Sequence, residues 1–377
     1  MSALLETYPA YPFVLDRGAG DRVYDEDGGA WWDYYGGHCV TATGHSHPRV
    51  VAAIAEQASR LIFYSAAARL RVREQAAAAL IDFVAGCGLA RVFFCNSGAE
   101  ANENALKLAL KLTGRRRLAA FAGGWHGRTL LALSVTDDAK ITQPYRELLA
   151  PCDSLPFGDL QALESFDFSQ TAAVIVEPIQ SMSGIRCATP QWFQALRART
   201  RAAGCLLIFD EIQTGVGRLG TPLAAHHYGI EPDIVCLAKG LASGVPIGAT
   251  LVSAAVAGAV QKGDLGSTFG GGPLACAALR ATLAVIGDEQ LMARAAALGA
   301  HFKRSLPGAV VAEVRGEGLL LGLKTHGPAA AVKDALYGRR ILAGGSGDPQ
   351  VLRLMPPLTL SDAAVDALEA ALKEFQA

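Results

Sequence analysis

The chain lacks any CxxC pair, although eight cysteines occur along its 377 residues. That absence argues against a zinc ribbon, a dithiol redox centre or a disulfide framework. Cys95, Cys205 and Cys236 lie inside apolar runs, where a thiol behaves as a small buried hydrophobe. The pattern fits a reducing, cytoplasmic setting. Net charge is also missing: 34 basic and 35 acidic residues leave a formal −1. A chain so balanced is not built to hold nucleic acid or an anionic membrane. Two basic clusters, Arg115-Arg116-Arg117 and Arg339-Arg340, read as solvated turns. No apolar run approaches the roughly 18 to 20 residues that span a bilayer. The opening MSALLETYPAYPF has neither the basic region nor the apolar stretch of a leader. There is no internal repeat, low-complexity segment or long linker. What remains is 51% hydrophobic, enough for one large domain and a smaller one.

The most informative stretch is Cys205–Gly240. Cys205–Phe209 is an apolar run ending in Asp210 and Glu211, and Ile234–Ala238 is a second, ending in Lys239-Gly240. Runs this apolar suit strands buried on both faces of a parallel sheet. A carboxylate and an amine therefore stand where buried strands run out, the edge at which open α/β sheets bind ligands. Pyridoxal phosphate chemistry needs such a pair. The lysine forms a Schiff base with the cofactor aldehyde, and the acid keeps the pyridine nitrogen protonated. From these two residues alone, a strand-end ion pair is an equal reading. Gly215-Val-Gly217-Arg-Leu-Gly220 fits the dinucleotide pattern GxGxxG, with Asp233 downstream. Residues 211–214 separate it from the strand and no long helix begins at Gly220, so the glycines read as a loop.

Other pieces fall in order around that stretch. Asp27-Gly28-Gly29 marks a hairpin turn among aromatics. His45 and His47 lack further ligands and read as turn residues, with Pro48 opening a helix over 49–60. Arg91–Cys95 is a strand running into Asn96-Ser97-Gly98-Ala99-Glu100, with a helix from Ala101. Ser97, Gly98 and Ala99 suit either a plain N-cap or a phosphate cradle. After the strand Leu118–Phe121 comes Gly123-Gly124-Trp125-His126-Gly127-Arg128. Trp125 could lie on a planar ring, and Arg128 could fork onto a carboxylate; core packing and an ion pair are the plain alternatives. Glu177-Pro178-Ile179-Gln180 ends another strand. Ser267 and Thr268 sit among glycines, as in a phosphate site or a simple turn. Pro246–Val252 is strand-like, and 273–305 reads as helical. Strands over 310–315, 318–323, 340–343 and 351–354 then alternate with helices in a smaller α+β unit. The divisions expected are 1–40, an N-terminal segment packing on the small unit, 41–274, the large α/β domain, and 275–377, the small domain.

With these pieces in sequence, the chain resembles the class III aminotransferases of the fold-type I pyridoxal phosphate enzymes, most of all the acetylornithine and ornithine branch. The carriers are Gly44-His45-x-His47-Pro48, Asn96 to Glu103, His126-Gly127-Arg128-Thr129, Glu177-Pro178-Ile179-Gln180, Asp210 to Gly215, Ala238-Lys239-Gly240, Ser267 to Gly271 and Arg353-x-Met355-Pro356-Pro357. The resemblance implies a mostly parallel seven-stranded sheet flanked by helices. It implies that Lys239 carries the cofactor, Asp210 binds its ring nitrogen, Gln213 lies near the ring hydroxyl and Trp125 stacks on the ring. Ser97, Gly98, Ala99 and Glu177 complete the cofactor site. It further implies a homodimer in which Thr268 reaches the partner's phosphate. Arg128 is the implied first carboxylate hook, Arg353 the second, used by glutamate, and Ser267 and His38 flank the substrate.

Two departures bear on the substrate. The family follows Glu-Pro-Ile-Gln with Gly-Glu, and that Glu pairs with the arginine at position 353; here Ser181-Met182 stand instead, so Arg353 is expected to lack that acid. Ornithine-specific relatives carry Tyr where this chain has His38. The expected reaction is therefore transfer of the terminal amine of an acylated ornithine or lysine, N-acetylornithine first, to 2-oxoglutarate. Free ornithine, 4-aminobutyrate, a non-transaminating relative and a dinucleotide-dependent oxidoreductase are the competing readings.

Overall fold

A computed structural model describes residues 3–8 and 10–375. The chain opens with an antiparallel meander of β1 (Leu15–Ala19), β2 (Arg22–Asp25) and β3 (Ala30–Asp33). Its second turn is the expected Asp-Gly-Gly: Gly28 takes φ +80°, which costs glycine nothing. Asp25 locks the turn by accepting from the Gly29 amide (2.5 Å) and the Trp31 indole (2.8 Å).

The large sheet collects β4 (Leu89–Cys95), β5 (Arg117–Phe121), β6 (Cys152–Leu155) and β7 (Thr171–Val176). A small hairpin of β8 (Ile179–Gln180) and β9 (Arg186–Cys187) follows. Then β10 (Leu206–Asp210), β11 (Ile234–Leu237) and β12 (Gly248–Ser253) complete the sheet, in the order β4-β12-β11-β10-β7-β5-β6. All its strands are parallel except β12, which runs against both neighbours. Every residue of β7 and β11 is buried, as continuous apolar runs require of central strands covered by helices. Asp210 pairs with Cys236 in register, so Lys239 emerges on the neighbouring strand just past Asp210.

The helix after β4 starts at Gly98, not Ala101, and runs to Thr113. The helical stretch after Pro273 is two helices, Pro273–Asp288 and Leu291–Ser305, broken where Gln290 takes φ +52°. The following unit is a three-stranded antiparallel sheet of β13 (Val311–Glu317), β14 (Leu320–Thr325) and, after β15 (Ile341–Leu342), β16 (Val351–Leu354). β15 corrects the expected assignment of 340–343 to this sheet: it pairs in parallel with β3 of the meander. Around that joint, Phe13 stacks on Trp31 at 4.5 Å, and Tyr337 lies 4.9 Å from Trp31.

Gly215–Gly220 is a loop, with Gly217 at φ +83° and Gly220 at φ +90°. Its Arg218 is buried and donates to the Leu319 and Pro356 carbonyls, tying the loop to the small unit. The strand-turn-helix setting of a dinucleotide motif is not there. Among the described residues no helix is long and apolar enough to cross a membrane, and no cluster of three metal-ligating side chains forms.

Candidate active site

The C-terminal edge of the large sheet opens into a cavity of about 450 Å³. Each wall is the segment that leaves a strand. The loop after β4 supplies Ser97, Gly98 and Ala99, that after β5 supplies Trp125 to Arg128, and β7, β10 and β11 lead to Glu177, Asp210 and Lys239.

Ser97 is the N-cap of its helix. Its Oγ accepts from the Glu100 amide at 3.2 Å, and the Glu100 carboxylate accepts from the Asn96 amide at 2.6 Å. This is a variant of the capping box, with Glu100 reaching back to the residue before the cap. It leaves the Gly98 and Ala99 amides with no acceptor among the described residues, at the positive end of a 16-residue helix. The cap and the anion cradle are thus one structure. Glycine at position 98 lets Ile212 pack close, since a Cβ there would stand 2.6 Å from Ile212 Cδ1 and push that side chain aside.

Asp210 is almost wholly buried. Its Oδ2 accepts from Asn102 Nδ2 at 2.7 Å and from His126 Nδ1 at 2.8 Å, and its Oδ1 accepts from the Ile212 amide at 3.1 Å. Asn102 also donates to the His126 carbonyl at 2.7 Å. The carboxylate is therefore held in one orientation by donors from a helix and a loop. Neither Asn102 nor His126 was singled out from the sequence as a site residue. The signal for Asn102 was faint: a polar side chain one turn into an otherwise apolar helix face.

Lys239 follows β11 with φ +45°, strain that a lysine sustains only where the surrounding structure holds it. It is partly open to the cavity, yet densely surrounded. Burial lowers its pKa, and only in part do Cys39, Asp210 and Glu177 offset this. Its Nζ has no hydrogen-bond or ion-pair partner among the described residues. Gln213 Oε1 is buried in the same cavity without a donor. Glu177 accepts from the Trp125 amide at 2.8 Å and the Ser181 amide at 3.4 Å, and burial pushes its carboxyl up to about 7. Through that bond Glu177 fixes the backbone of Trp125, whose ring forms a cavity wall.

Arg128 also lines the cavity, lies 5.4 Å over Trp125 and 5.8 Å over Tyr8, and has no ion-pair partner among the described residues. Tyr8 was not anticipated. His38 stands on a left-handed turn: Gly36, Gly37, His38 and Cys39 take φ +60°, +54°, +74° and +66°. Its Nδ1 pairs with the Tyr35 hydroxyl. Burial, then the positive charges of Lys239 and Arg353, lower its pKa to about 4, so the ring is neutral at neutral pH. Arg353, on β16, is 2% exposed. It donates from Nε to the Gly345 carbonyl at 2.6 Å and from Nη1 to Ser181 Oγ at 3.0 Å. Met182 contributes only its carbonyl, to the Gly347 amide at 2.7 Å. Ser267 and Thr268 stand outside this chain's own cavity: Ser267 Oγ accepts from Asn96 Nδ2 at 3.2 Å, and Thr268 is exposed. In its own chain Ser267 braces Asn96.

A family model described as aminotransferase class-III matches residues 5–375. The chain belongs to the class-III aminotransferases. An acetylornithine aminotransferase from Methanopyrus kandleri is 43% identical over 376 residues, 98% of this chain and 95% of that protein. The solved ornithine aminotransferase of Toxoplasma gondii has a TM-score of 0.92 at 33% identity, over 98% of this chain and 92% of that one. An amine transaminase from an uncultivated Pseudomonas species, solved with PLP bound, has a TM-score of 0.90 at 30% identity, over 99% and 98%. This class-III aminotransferase has the fold-type I architecture and works with pyridoxal 5′-phosphate.

The residues present fit that cofactor. Two vacant helix-start amides suit a phosphate, the unpartnered Gln213 oxygen suits a ring hydroxyl, and the braced Asp210 suits a protonated ring nitrogen. When bound, the cofactor supplies a ring that accepts electron density from the substrate carbon. Asp210, oriented by Asn102 and His126, would hold the proton on the ring nitrogen. Lys239, its basicity suppressed by burial, would be the amine to hold or move a proton at the substrate carbon. Trp125 closes one side of the cavity against water. Arg128, which lines the cavity, would be the cation nearest to hand for a substrate carboxylate, while Arg353 is buried outside that lining.

Proposed function

We propose that this enzyme transfers the terminal amino group of an N-acylated ornithine- or lysine-type donor, N-acetylornithine first, to 2-oxoglutarate, giving the semialdehyde and glutamate. The observation that carries the reading is the charge of the substrate side. Among the described residues Arg128 and Arg353 lack ion-pair partners, His38 is neutral, and the cavity's two acids, Glu177 and Asp210, are already engaged by backbone amides and by Asn102 and His126. Free ornithine would bring a second ammonium; acylation removes it. Relatives named acetylornithine aminotransferase at 40 to 43% identity support the same donor. On this reading the enzyme serves arginine biosynthesis.

The proposal includes a homodimer with shared active sites, in which Thr268 completes the partner's phosphate cradle. Thr268 is exposed on a loop beside Phe269, itself 64% exposed and 5.0 Å from Phe63. Ile62 and Tyr64 extend the same uncovered apolar surface, which suits a second copy. Eight free cysteines support a reducing, cytoplasmic setting. A donor screen against 2-oxoglutarate tests the reading. N-acetylornithine should give the highest kcat/KM, and glutamate should bleach the yellow holoenzyme. A preference for free ornithine or 4-aminobutyrate would overturn the donor assignment, and a holoenzyme indifferent to glutamate would overturn transamination.

A further inference from the structure

Arg128 makes no ion pair among the described residues; its guanidinium lies over the rings of Trp125 and Tyr8, at 5.4 and 5.8 Å. A long side chain without an anion to hold it takes its place from its own backbone. That backbone is seated on the helix Gly98–Thr113. Gly127 takes φ +133°, and a Cβ there would stand 2.8 Å from Ala99 Cβ, so glycine lets the loop come down on the first helical turn. On the other side the Thr136 hydroxyl accepts from the His126 amide at 3.0 Å and lies 3.1 Å from the Gly127 carbonyl.

Glu103 closes the seat. It lies one turn beyond Ala99, on the same face of the helix. Its Oε2 accepts from the Thr129 hydroxyl at 2.6 Å and from the Leu131 and Ala132 amides at 3.0 and 3.1 Å. Thr129 is the N-cap of the short helix Leu130–Ser134, but its side chain makes no capping bond there. The acid supplies the cap instead, from 26 to 29 positions away. The residue after Arg128 is thereby tied to the helix that starts with the Gly98 and Ala99 amides and whose Asn102 braces Asp210. With that oxygen committed to three donors, Glu103 makes no ion pair among the described residues and leaves the Arg128 guanidinium without a counter-ion.

We propose that Glu103 is a positioning residue for substrate recognition: by clamping Thr129, Leu131 and Ala132 to the helix Gly98–Thr113, it sets where the Arg128 guanidinium meets the donor's carboxylate. A shift of about 1 Å in such a clamp costs up to roughly a hundredfold in rate. Glu103 acts on carboxylate-bearing ligands alone, because Asp210 and the amides at the helix start are held by other bonds. The inference rests on the reading of Arg128 as the donor's carboxylate hook, and adds the group that aims the hook.

The test is calorimetric titration of N-acetylnorvaline, the proposed donor without its reactive amine, into the holoenzyme, so that no turnover is needed. Glu103→Ala should weaken it about tenfold or more. Glu103→Gln, which keeps an accepting oxygen, should stay within about threefold of wild type. In steady-state assays of Glu103→Ala, KM for N-acetylornithine should rise about tenfold or more while kcat changes less than about threefold. For N-acetylputrescine, the same donor without its carboxylate, kcat/KM should stay within about threefold. In an Arg128→Ala background, adding Glu103→Ala should weaken N-acetylnorvaline by no more than about a further twofold. Thr129→Val removes the shortest of the three bonds and should weaken N-acetylnorvaline about threefold or more, which keeps the test decisive if Glu103→Ala does not fold. A folded Glu103→Ala enzyme that binds N-acetylnorvaline as wild type does would overturn the inference. One that loses N-acetylputrescine as badly would do so too, by showing a general structural role. Wild type that does not bind N-acetylnorvaline, or Arg128→Ala that binds it undiminished, would refute the underlying reading and the inference with it. Dependence on Arg128 without dependence on Glu103 or Thr129 would refute the inference alone.

Discussion

Replacing Asn102 by leucine isolates what holds Asp210 in place. The side chain is fully buried and donates at 2.7 Å to the Asp210 carboxylate and at 2.7 Å to the His126 carbonyl. Leucine keeps the branched shape and leaves no cavity, although its methyl groups are somewhat larger than the amide they replace. Loss of a hydrogen bond to a charged group costs about 1.5 to 3 kcal/mol, and an unsatisfied buried carbonyl about 1 to 3. Against this stands the Asn102 Oδ1, buried without a donor; its removal returns roughly 1 to 3 kcal/mol. The net is about 2 to 4 kcal/mol, because His126 still donates to Asp210. With an unfolding entropy of roughly 2.1 cal/mol/K per residue over 377 residues, the apo protein should melt about 3 to 5 °C lower. The carboxylate, less well solvated by the protein, should also grip the cofactor ring less tightly. Scanning fluorimetry of the apo form and a cofactor titration read the two effects. A variant melting within 1 °C of wild type with unchanged cofactor affinity would refute the reasoning.

Three further outcomes are expected. Lys239→Ala should abolish turnover and leave any bound cofactor free of a covalent link; a borohydride-reducible link in the variant would contradict this role. Glu177 titrates near 7 in the fold against an ordinary 4.5, so the folded state binds its proton more tightly than the unfolded chain. Apo stability should therefore fall as pH rises from about 4.5 to about 7, by up to about 3 kcal/mol for this group. Glu177→Gln should lessen the slope without removing it, since Glu211 is raised to about 7 as well; an unchanged slope would speak against the assignment. Hybrid dimers of a Lys239→Ala chain and a Thr268→Ala chain should regain one native site per dimer, because the intact lysine and the intact threonine meet across the interface. Hybrids no better than Thr268→Ala alone would show that Thr268 does not serve its partner.

Much of the frame was legible because it is written in local pattern. The apolar runs that became β7, β10 and β11 announced buried parallel strands, and Asp210 and Lys239 stood at their ends. Turn chemistry placed the first hairpin, and the Ser97–Glu100 pair could be read as a helix start. The boundary was three residues late, and the difference matters, because it makes Gly98 and Ala99 the first helical residues and so the owners of the vacant amides.

Periodicity and turn chemistry act between near neighbours, which is why the sequence by itself determined the strand ends, the cap and the lysine–acid pair. Contacts between distant segments obey no such local rule. Asn102 meets Asp210 across 108 positions and Ser181 meets Arg353 across 172. Nothing near either residue in the chain demands the bond. Only the packed structure decided that Asp210 is braced from two sides and that β15 joins the N-terminal sheet. The missing acid beside Arg353 could be expected beforehand, but that the Ser181 hydroxyl itself meets the buried guanidinium could not, because burial and partner choice are settled by which surfaces meet.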